Sequence, residues 1–377
     1  MVSAADVGHT DWGGSDGDAG RFDASRQLSS TLKTPAVSCR SWLVSDAVTG
    51  RPLLWHRPLE RLQPASITKV VTALVVLDYI EKQGKAAGKG AKAAKTTKNC
   101  AAREQKTKLL ETACSVSRYG ASFAGWMAGY GWNAGTNAQL KAHESYTVRE
   151  LLYAMMLPSG NDAAVTLARH FGPLVSNHDP AAALADGELL DEDALEQASI
   201  ELFVGEMNRT AATLGCADTF FKSAHGMADD DNLSCVSDII TFSLAAMRHP
   251  LFAKVVRTIK FKCEAHKGLG REKAKLWTNT NVLLRSALSV RYDGVKTGWV
   301  PRAHGCENQQ REWGCLVTRV ARRGSGGTDG SGEARGGAHR IALREGFKIM
   351  VACVGSASQD ERSVSCAWNW RSLLQMM

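Results

Sequence analysis

The feature that most constrains this fold is an apolar run, SITKVVTALVVLDYI, at residues 66–80. In a helix its apolar side chains cover nearly every face, and a helix of that kind is normally buried. No run in the chain approaches the roughly 18 uninterrupted apolar residues that a membrane-spanning helix needs. The run therefore predicts a helix at the centre of a globular protein, and the composition, 44% apolar and 22% charged, favours the same class.

Strand-like segments lie towards both ends of the chain. Residues 41–57, SWLVSDAVTGRPLLWHR, predict two short strands around a turn at Thr49-Gly50. Three further strand-like runs, SVRYDGVKTGWV, GCLVTRVA and FKIMVACVGSA, follow late in the chain. We therefore expect an antiparallel sheet that is built from both ends of the chain and flanked by helices, an α/β fold of the α+β type.

Helical patterns occupy the middle of the chain. Thr147 and Glu150 have the spacing of a capping box in front of an apolar run. Gly172 and Gly215 are predicted to end the next two helices, and Ser237 is a candidate N-cap of a fourth. The segment SVSCAWNWRSLLQ predicts a closing helix near the C-terminus.

The chain divides into a tail and one domain. Residues 1–35 are predicted to be disordered, and they have neither the basic start nor the apolar core of a secretory signal, so the localisation stays open. Residues 36–377 are predicted to form one domain with low-complexity inserts at about 82–130, 305–313 and 322–345.

The basic character of the chain is local. Nine basic residues and one acid lie in the segment from Lys82 to Lys108. The net charge of this segment, +8, equals the net charge of the whole chain. Helical lysine spacing is present, but Gly84, Gly88 and Gly90 weaken a helix there. The pattern favours a solvated insert over contact with an anionic surface, and it argues against a nucleic-acid partner.

The ten cysteines form no C-x-x-C pair, which argues against a zinc ribbon or a redox motif. We expect most of them to be buried free thiols. No H-E-x-x-H motif occurs among the ten histidines either. Neither a metal nor a cofactor is therefore predicted.

A serine and a lysine stand three residues apart at the start of the apolar run. Ser66 and Lys69 would share one helix face, with about 5–6 Å between their β-carbons. A desolvated, neutral lysine can take the proton of a serine hydroxyl, and N–H groups at a helix start can hold an oxyanion. The same spacing recurs in STLK from Ser30 to Lys33, and by itself it fits ordinary helix surface equally well.

Two further motifs follow in the sequence. Ser159 and Asn161, in SGN, lie between two predicted helices, where they would either face a cleft or cap a helix. Lys296 and Thr297, in KTG, lie in a strand-like run, where they would either bind a carboxylate or occupy an ordinary surface strand. Gly298 would allow a ligand to approach the backbone closely.

In this order, S-x-x-K, S-x-N and K-T-G are the motif set of the penicillin-recognising serine enzymes. The chain resembles the D-alanyl-D-alanine carboxypeptidases of the low-molecular-mass penicillin-binding type, peptidase family S11. The similarity extends from roughly Pro35 to Leu374 and includes YTVRELLYAMMLPSGNDAAVTLARHFG and NTNVLLRSALSVRYDGVKTGWVPRAHG. It implies a β-lactamase/transpeptidase-like fold, in which a helical subdomain accompanies the sheet.

The resemblance also implies a mechanism. Ser66 would be the acyl-accepting nucleophile and Lys69 its general base, while Ser159 and Asn161 would assist proton transfer and position the substrate. The reaction would release the last D-alanine of a peptidoglycan stem peptide or another peptide that ends in D-Ala-D-Ala. β-Lactams would act as covalent inhibitors at Ser66.

The remaining implied roles concern substrate binding. Lys296 and Thr297 would bind the terminal carboxylate, next to Gly298. The backbone N–H groups of Ser66 and Trp299 would form the oxyanion hole.

The chain also departs from the family pattern. The basic insert separates the first two motifs by more than is usual, and a second insert near 305–313 follows the K-T-G strand. No second β-domain and no C-terminal anchor are recognised, so the chain resembles the catalytic domain alone. The histidine in AHGM, His225, matches a family segment with a structural role.

Two other functions stay open at this point. The first is a β-lactamase of the same fold, although Gly160 stands where that class has aspartate and no E-x-x-L-N motif occurs. The second is a non-catalytic module that binds muropeptides in an inherited cleft.

Overall fold

The computed structural model describes residues 22, 38–90, 95–123, 136–183, 191–227, 229–286, 290–300, 313–322 and 348–356. In these residues a six-stranded antiparallel sheet is formed by strands from both ends of the chain. Its strands are β1 (Ser41–Asp46), β2 (Pro52–His56), β7 (Val290–Tyr292), β8 (Lys296–Val300), β9 (Trp313–Arg322) and β10 (Lys348–Ser356). Two small sheets pair β3 (Ala113–Ser115) with β4 (Ser145–Thr147) and β5 (Lys260–Cys263) with β6 (Lys275–Thr278).

The helices of the described residues lie mostly between β2 and β7. They are α1 (Lys69–Gly90), α2 (Lys95–Leu110), α3 (Arg118–Ser122), α4 (Val148–Met156), α5 (Asn161–Ser176), α6 (Glu192–Thr213), α7 (Val236–Met247) and α8 (Pro250–Arg257). None of these helices alone is long and apolar enough to cross a membrane; only α7 and α8 reach that length and apolarity together, across a 108° bend.

The main sheet has the strand order β2-β1-β10-β9-β7, and β8 also pairs with β9. The first two strands therefore lie directly beside the last one, with Val44 of β1 opposite Val351 of β10. This arrangement confirms the predicted antiparallel sheet from both ends of the chain and the α+β class. The predicted turn at Thr49-Gly50 joins β1 and β2, and Gly50 has φ of 76°.

Both faces of the sheet are apolar. Ile349, Val351 and Cys353 of β10 belong to one buried cluster, whereas Met350 and Ala352 belong to the cluster on the other face. Alternation of side chains along a strand explains this division. A strand that is buried on both sides needs a continuous apolar sequence, which is why β10 is apolar from Ile349 to Val354.

Helix α1 crosses the larger of the two clusters. Val70, Val71, Ala73 and Val76 are fully buried, and they project from different sides of the helix. The prediction of a central buried helix is therefore confirmed. The helix starts at Lys69, because residues Ala65–Thr68 form a tighter 3-10 turn that carries Ser66.

The basic segment from Lys82 to Lys108 is helical over much of its length. It forms the second half of α1 and then most of α2. The two helices pack closely, since a β-carbon on Gly88 would lie 3.0 Å from the carbonyl oxygen of Lys98. The glycines were expected to weaken a helix here, yet Gly84 and Gly88 lie inside α1 and let α1 and α2 approach closely. Lys82 and Lys85 are exposed, as expected for a solvated segment.

Two predicted helix boundaries are wrong. Helix α5 continues through Gly172 to Ser176, and Asn177, with φ of 58°, is its left-handed C-cap. Gly172 instead marks a close helix crossing, because a β-carbon there would lie 1.8 Å from the carbonyl oxygen of Ser199 in α6.

The N-cap of α7 also differs from the prediction. It is Cys235, whose sulfur accepts the backbone N–H of Asp238, and Ser237 lies inside the helix. The capping box of α4 is present as predicted, with reciprocal hydrogen bonds between Thr147 and Glu150. Glycine 215, with φ of 75°, follows the end of α6 as expected.

The eight cysteines in the described ranges are free thiols, and seven of them are buried, which confirms the prediction for those eight. Cys306, Cys366, the closing helix in SVSCAWNWRSLLQ and the insert at 305–313, apart from Trp313, lie outside the described residues. So do the predicted tail, apart from Phe22, and nearly all of the insert at 322–345. The ring of Phe22 packs edge-on against Trp55, with 5.5 Å between the ring centroids.

Candidate active site

The turn that carries Ser66 is held in an unusual conformation. Ala65, immediately before the serine, has φ of 50°, in the left-handed region that non-glycine residues rarely adopt. Gly226 closes over this turn, since a β-carbon there would lie 2.1 Å from the carbonyl oxygen of Ala65. Packing therefore fixes the turn, and it leaves Ser66 only partly buried at its surface.

Lys69 lies one turn further along, fully buried. Its Nζ lies 2.9 Å from Oγ of Ser66, 2.7 Å from Oδ1 of Asn161 and 2.7 Å from the carbonyl oxygen of His225. These three oxygens come from three separate parts of the chain. The structure thus brings together Ser66, Lys69 and Asn161, which the sequence singled out, and adds the backbone of His225.

Burial lowers the pKa of Lys69 from its usual 10.5 to about 7, while the charge of Asp162 acts in the opposite direction. The cause is desolvation, which disfavours the charged ammonium in a buried position. A substantial fraction of the lysine is therefore neutral near pH 7, and a neutral amine has a lone pair that can accept a proton.

The Ser159–Asn161 segment enters the site between α4 and α5. Ser159 has φ of 67°, and its buried Oγ has no hydrogen-bond partner within the described residues. The backbone around it is fixed, because Oγ1 of Thr136 donates to the carbonyl oxygen of Ser159 and the N–H of Asn161 donates to that of Thr136, at 2.8 and 2.9 Å. A strained residue with an unpaired buried hydroxyl is a typical feature of functional sites.

Asp162, the next residue, connects the same segment to residues 138–140 through hydrogen bonds. Its carboxylate accepts hydrogen bonds from the backbone N–H groups of Ala138 and Leu140, each at 3.0 Å. Burial raises the pKa of Asp162, whereas these N–H groups and Lys69 lower it. Asp162 belongs to none of the three motifs, although it directly follows S-x-N in the sequence.

The K-T-G motif lies in β8, which passes beside the Ser66 turn. A β-carbon on Gly298 would lie 3.0 Å from the carbonyl oxygen of Pro64 and 3.1 Å from Cβ of Ala65. Lys296 is buried, and its Nζ donates to the carbonyl oxygen of Thr297 at 2.8 Å. Trp299, which the sequence assigned to the oxyanion hole through its backbone, is the next residue of the strand and is partly buried.

Thr280 is a further residue that the sequence did not reveal. Its Oγ1 lies 2.7 Å from Oγ1 of Thr297, and its backbone N–H donates to the carbonyl oxygen of Leu157. It therefore fixes the rotamer of Thr297 from the helical side of the site. A lone threonine in NTNVLL has no sequence pattern that would have indicated this contact.

His225 contributes through its backbone and not through its ring. The ring Nδ1 accepts the N–H of Met227 at 3.0 Å, so Nδ1 carries no proton. Burial, with a smaller effect of the Lys69 charge, lowers the pKa of His225 to about 3. The ring is thus neutral near pH 7 and packs 4.9 Å from the ring of Phe123. Any residue type supplies a carbonyl, so no side-chain motif pointed to this contact.

In the described part of the chain, the one close group of potential metal ligands is formed by Asp218, Cys235 and Asp238. These groups are engaged in local structure. Asp238 accepts hydrogen bonds from the backbone N–H of Asp218 and the hydroxyl of Thr219, while Cys235 caps α7. Burial also raises the pKa of the Cys235 thiol well above its usual range, so the sulfur is a poor metal ligand.

Comparison with known proteins identifies the family of this chain. The sequence profile of the family described as D-alanyl-D-alanine carboxypeptidase matches residues 28–111 and 174–307. The matched ranges contain Ser66, Lys69, Lys296 and Thr297. Ser159 and Asn161 fall between the two ranges, and it is the contact of Asn161 with Lys69 that places them in the same site.

Individual relatives show the same family. The D-alanyl-D-alanine carboxypeptidase of Streptomyces sp. (strain K15) is 32% identical over 175 residues, which are 46% of this chain and 53% of that protein. The D-alanyl-D-alanine carboxypeptidase DacF of Bacillus subtilis (strain 168) is 26% identical over 272 residues, 72% of this chain and 53% of that one. The chain thus spans about half the length of these curated relatives.

The fold has solved counterparts as well. The crystal structure of the Streptomyces K15 DD-transpeptidase superposes with a TM-score of 0.61 and 23% identity, covering 91% of this chain and all of that one. At this identity the similarity shows the fold alone. Because the family profile matches more than half of the sequence, this chain belongs to the D-alanyl-D-alanine carboxypeptidase family, peptidase family S11.

Proposed function

We propose that this protein is a serine-type carboxypeptidase that removes the terminal D-alanine from peptides ending in D-Ala-D-Ala, through an acyl-enzyme at Ser66. One observation carries the proposal: the buried Nζ of Lys69 lies 2.9 Å from Oγ of Ser66. The other two neighbours of Nζ, Oδ1 of Asn161 and the carbonyl oxygen of His225, have no proton to donate to it.

These two acceptors set the direction of proton transfer. When Lys69 is neutral, its two remaining N–H bonds donate to Asn161 and to the carbonyl of His225. The lone pair is then directed at Ser66, whose hydroxyl proton it can accept as the oxygen attacks a carbonyl carbon. The nucleophile and its base are therefore arranged for acyl transfer before a substrate binds.

Attack by Ser66 places negative charge on the carbonyl oxygen of the substrate. We assign its stabilisation to the backbone N–H groups of Ser66 and Trp299, since β8 lies beside the Ser66 turn. Ser159 has a buried hydroxyl without a partner in the described part of the chain. We assign to it the relay of the proton that Lys69 took from Ser66 to the nitrogen of the leaving D-alanine as the C–N bond breaks. Water then hydrolyses the acyl ester and restores the hydroxyl of Ser66.

The terminal carboxylate of the substrate would bind to Lys296 and Thr297. A buried ammonium and a hydroxyl on one strand supply the charge-assisted hydrogen bonds that a carboxylate accepts. Thr280 supports this role by positioning the hydroxyl of Thr297. The names of the curated relatives, D-alanyl-D-alanine carboxypeptidases, agree with a substrate of this kind.

Labelling with a fluorescent penicillin tests the proposal directly. We expect the wild-type protein to form a stable covalent adduct and to release D-alanine from an acylated D-Ala-D-Ala peptide. Ser66→Ala should abolish both signals and retain the circular dichroism spectrum of the folded protein. Ser30→Ala alters the second copy of the S-x-x-K spacing and is the matched control, so it should behave like the wild type.

The alternatives give different results in the same assay. Rapid hydrolysis of the penicillin without accumulation of an adduct would indicate a β-lactamase. A folded wild-type protein that binds D-Ala-D-Ala peptides but forms no adduct would be a non-catalytic binding module. Either result would overturn the carboxypeptidase proposal.

A further inference from the structure

A cavity of about 890 Å³ lies beside the middle of α1, whose residues line it from Leu74 to Lys85. It is enclosed by α1, the end of α5, α6 and the junction of α7 with α8. At 1.5 Å per helical residue, Leu74 and Lys85 are about 8 and 24 Å along α1 from Lys69. None of the residues that we assign to the active site lines it. Its volume is in the range of pockets that bind small organic molecules.

The inner wall of this cavity is apolar. Leu74, Val75 and Tyr79 line it from α1, and Val175, Leu214 and Ala245 line it from the surrounding helices. Leu74 and Val75 belong to the main core, so the wall is part of the rigid helix packing. An apolar part of a ligand would be removed from water there.

The mouth of the cavity is cationic. Two of its three carboxylates form ion pairs, Glu81 with Lys106 at 2.5 Å and Glu206 with Arg209 at 2.7 Å, and the third, Asp78, lies 2.9 Å from Nε2 of His249. Lys82 and Lys85, also at the mouth, are exposed and have no carboxylate within 4.0 Å in the described part of the chain. They lie three residues apart on one helix face. Positive charge is therefore left uncompensated beside an apolar wall.

We propose that this cavity binds a single-chain amphipathic anion, an alkyl or acyl chain that carries a phosphate or carboxylate group. The chain would occupy the apolar wall, and the anionic group would be bound by Lys82 and Lys85. Charge complementarity selects an anion over a neutral lipid, and the apolar wall selects it over a free inorganic ion. The site does not depend on the chemistry at Ser66.

Calorimetric titration of the full chain tests the proposal. The probes are decyl phosphate, decanoate, 1-decanol and inorganic phosphate, each below the concentration at which it forms micelles. We expect one decyl phosphate or decanoate per chain, with affinity at least tenfold higher than that of decanol and of inorganic phosphate. The relative affinity of the two anions identifies the preferred head group.

Paired charge reversals locate the site. The double variant Lys82→Glu, Lys85→Glu should weaken binding of decyl phosphate at least tenfold. Lys89→Glu with Lys98→Glu makes the same change of charge at exposed positions outside the cavity, so it should leave binding within twofold. Ala245→Phe should also weaken binding by filling the cavity, with the melting temperature reporting whether the variant is folded.

Several outcomes would overturn the proposal: no binding, equal affinity for inorganic phosphate, or equal losses in the two charge-reversal pairs. Ser66→Ala should bind decyl phosphate as the wild type does. This separates failure of the cavity proposal from failure of the proposed carboxypeptidase activity.

Discussion

The Oδ1 atom of Asn161 lies 2.7 Å from Nζ of Lys69, although 92 residues separate the two in sequence. This hydrogen bond joins the start of α5 to the start of α1 inside the core. It also fixes the direction of the lysine, because together with the carbonyl of His225 it leaves Ser66 as the third neighbour.

A charge placed at this contact should disable the lysine as a base. In Asn161→Asp a carboxylate next to the ammonium would raise the pKa of Lys69 and keep it protonated near pH 7. We expect the rate of penicillin acylation at pH 7 to fall about tenfold or more and its pH midpoint to move upward. Asn177→Asp, an exposed change at the C-cap of α5, is the control. An unchanged midpoint in Asn161→Asp would contradict the role of Lys69.

The wild-type acylation rate should itself depend on pH. Because the pKa of Lys69 is lowered to about 7, the active neutral amine gains population as the pH rises. We expect the rate of penicillin labelling to increase about tenfold per pH unit below 7 and to level off above it. His225, whose pKa is lowered to about 3, does not titrate in this range. A rate that is constant from pH 5 to 9 would exclude Lys69 as the base.

The close contact of Gly226 with the Ser66 turn can be tested separately from the left-handed backbone conformation of Gly226. Gly226→Ala would place a β-carbon 2.1 Å from the carbonyl oxygen of Ala65, at a φ of 72°. Gly215→Ala has nearly the same φ, 75°, but no atom within 4 Å. Both should lose about 1–2 kcal/mol of unfolding free energy through the left-handed conformation.

Only Gly226→Ala should also displace Ser66. We therefore expect its penicillin labelling to slow at least tenfold, with labelling of Gly215→Ala close to that of the wild type. Equal labelling rates in the two variants would show that the contact between Gly226 and Ala65 does not position the serine.

The crossing of α5 and α6 gives a prediction about stability. In Gly172→Ala the new methyl group would overlap the backbone of Ser199, so urea denaturation should show a loss of about 1–3 kcal/mol or more. Gly205→Ala is the matched control in α6, where the nearest atom is 3.7 Å away. Its better helix propensity should stabilise the protein by about 0.5–1 kcal/mol. Stabilisation of similar size in both variants would contradict the close crossing.

Local sequence patterns determined much of the fold. The turn at Thr49-Gly50, the capping box of Thr147 and Glu150 and the buried helix after Ser66 all depend on residues close in sequence. The apolar strands near the two ends indicated an antiparallel sheet for the same reason. These features follow from side-chain periodicity and hydrogen bonds within a few residues, which a sequence displays directly.

Helix ends and glycines were harder to predict, because their roles depend on neighbours from other elements. Gly172 has the pattern of a helix end, yet it lies at a crossing with Ser199. Gly88 was expected to weaken a helix, yet it lets α1 and α2 approach. Local propensity is weak compared with such packing, so tertiary contacts override it.

The sequence by itself determined which residue types stand at the site: a serine and a lysine three residues apart, then S-x-N and K-T-G in order. Only the tertiary structure decided the surroundings of Ser66 and Lys69. It buries Lys69, places Asn161 and the carbonyl of His225 around it and lowers its pKa to about 7. The physical reason is that desolvation and hydrogen bonding depend on atoms up to 156 residues away in sequence, which no local motif encodes.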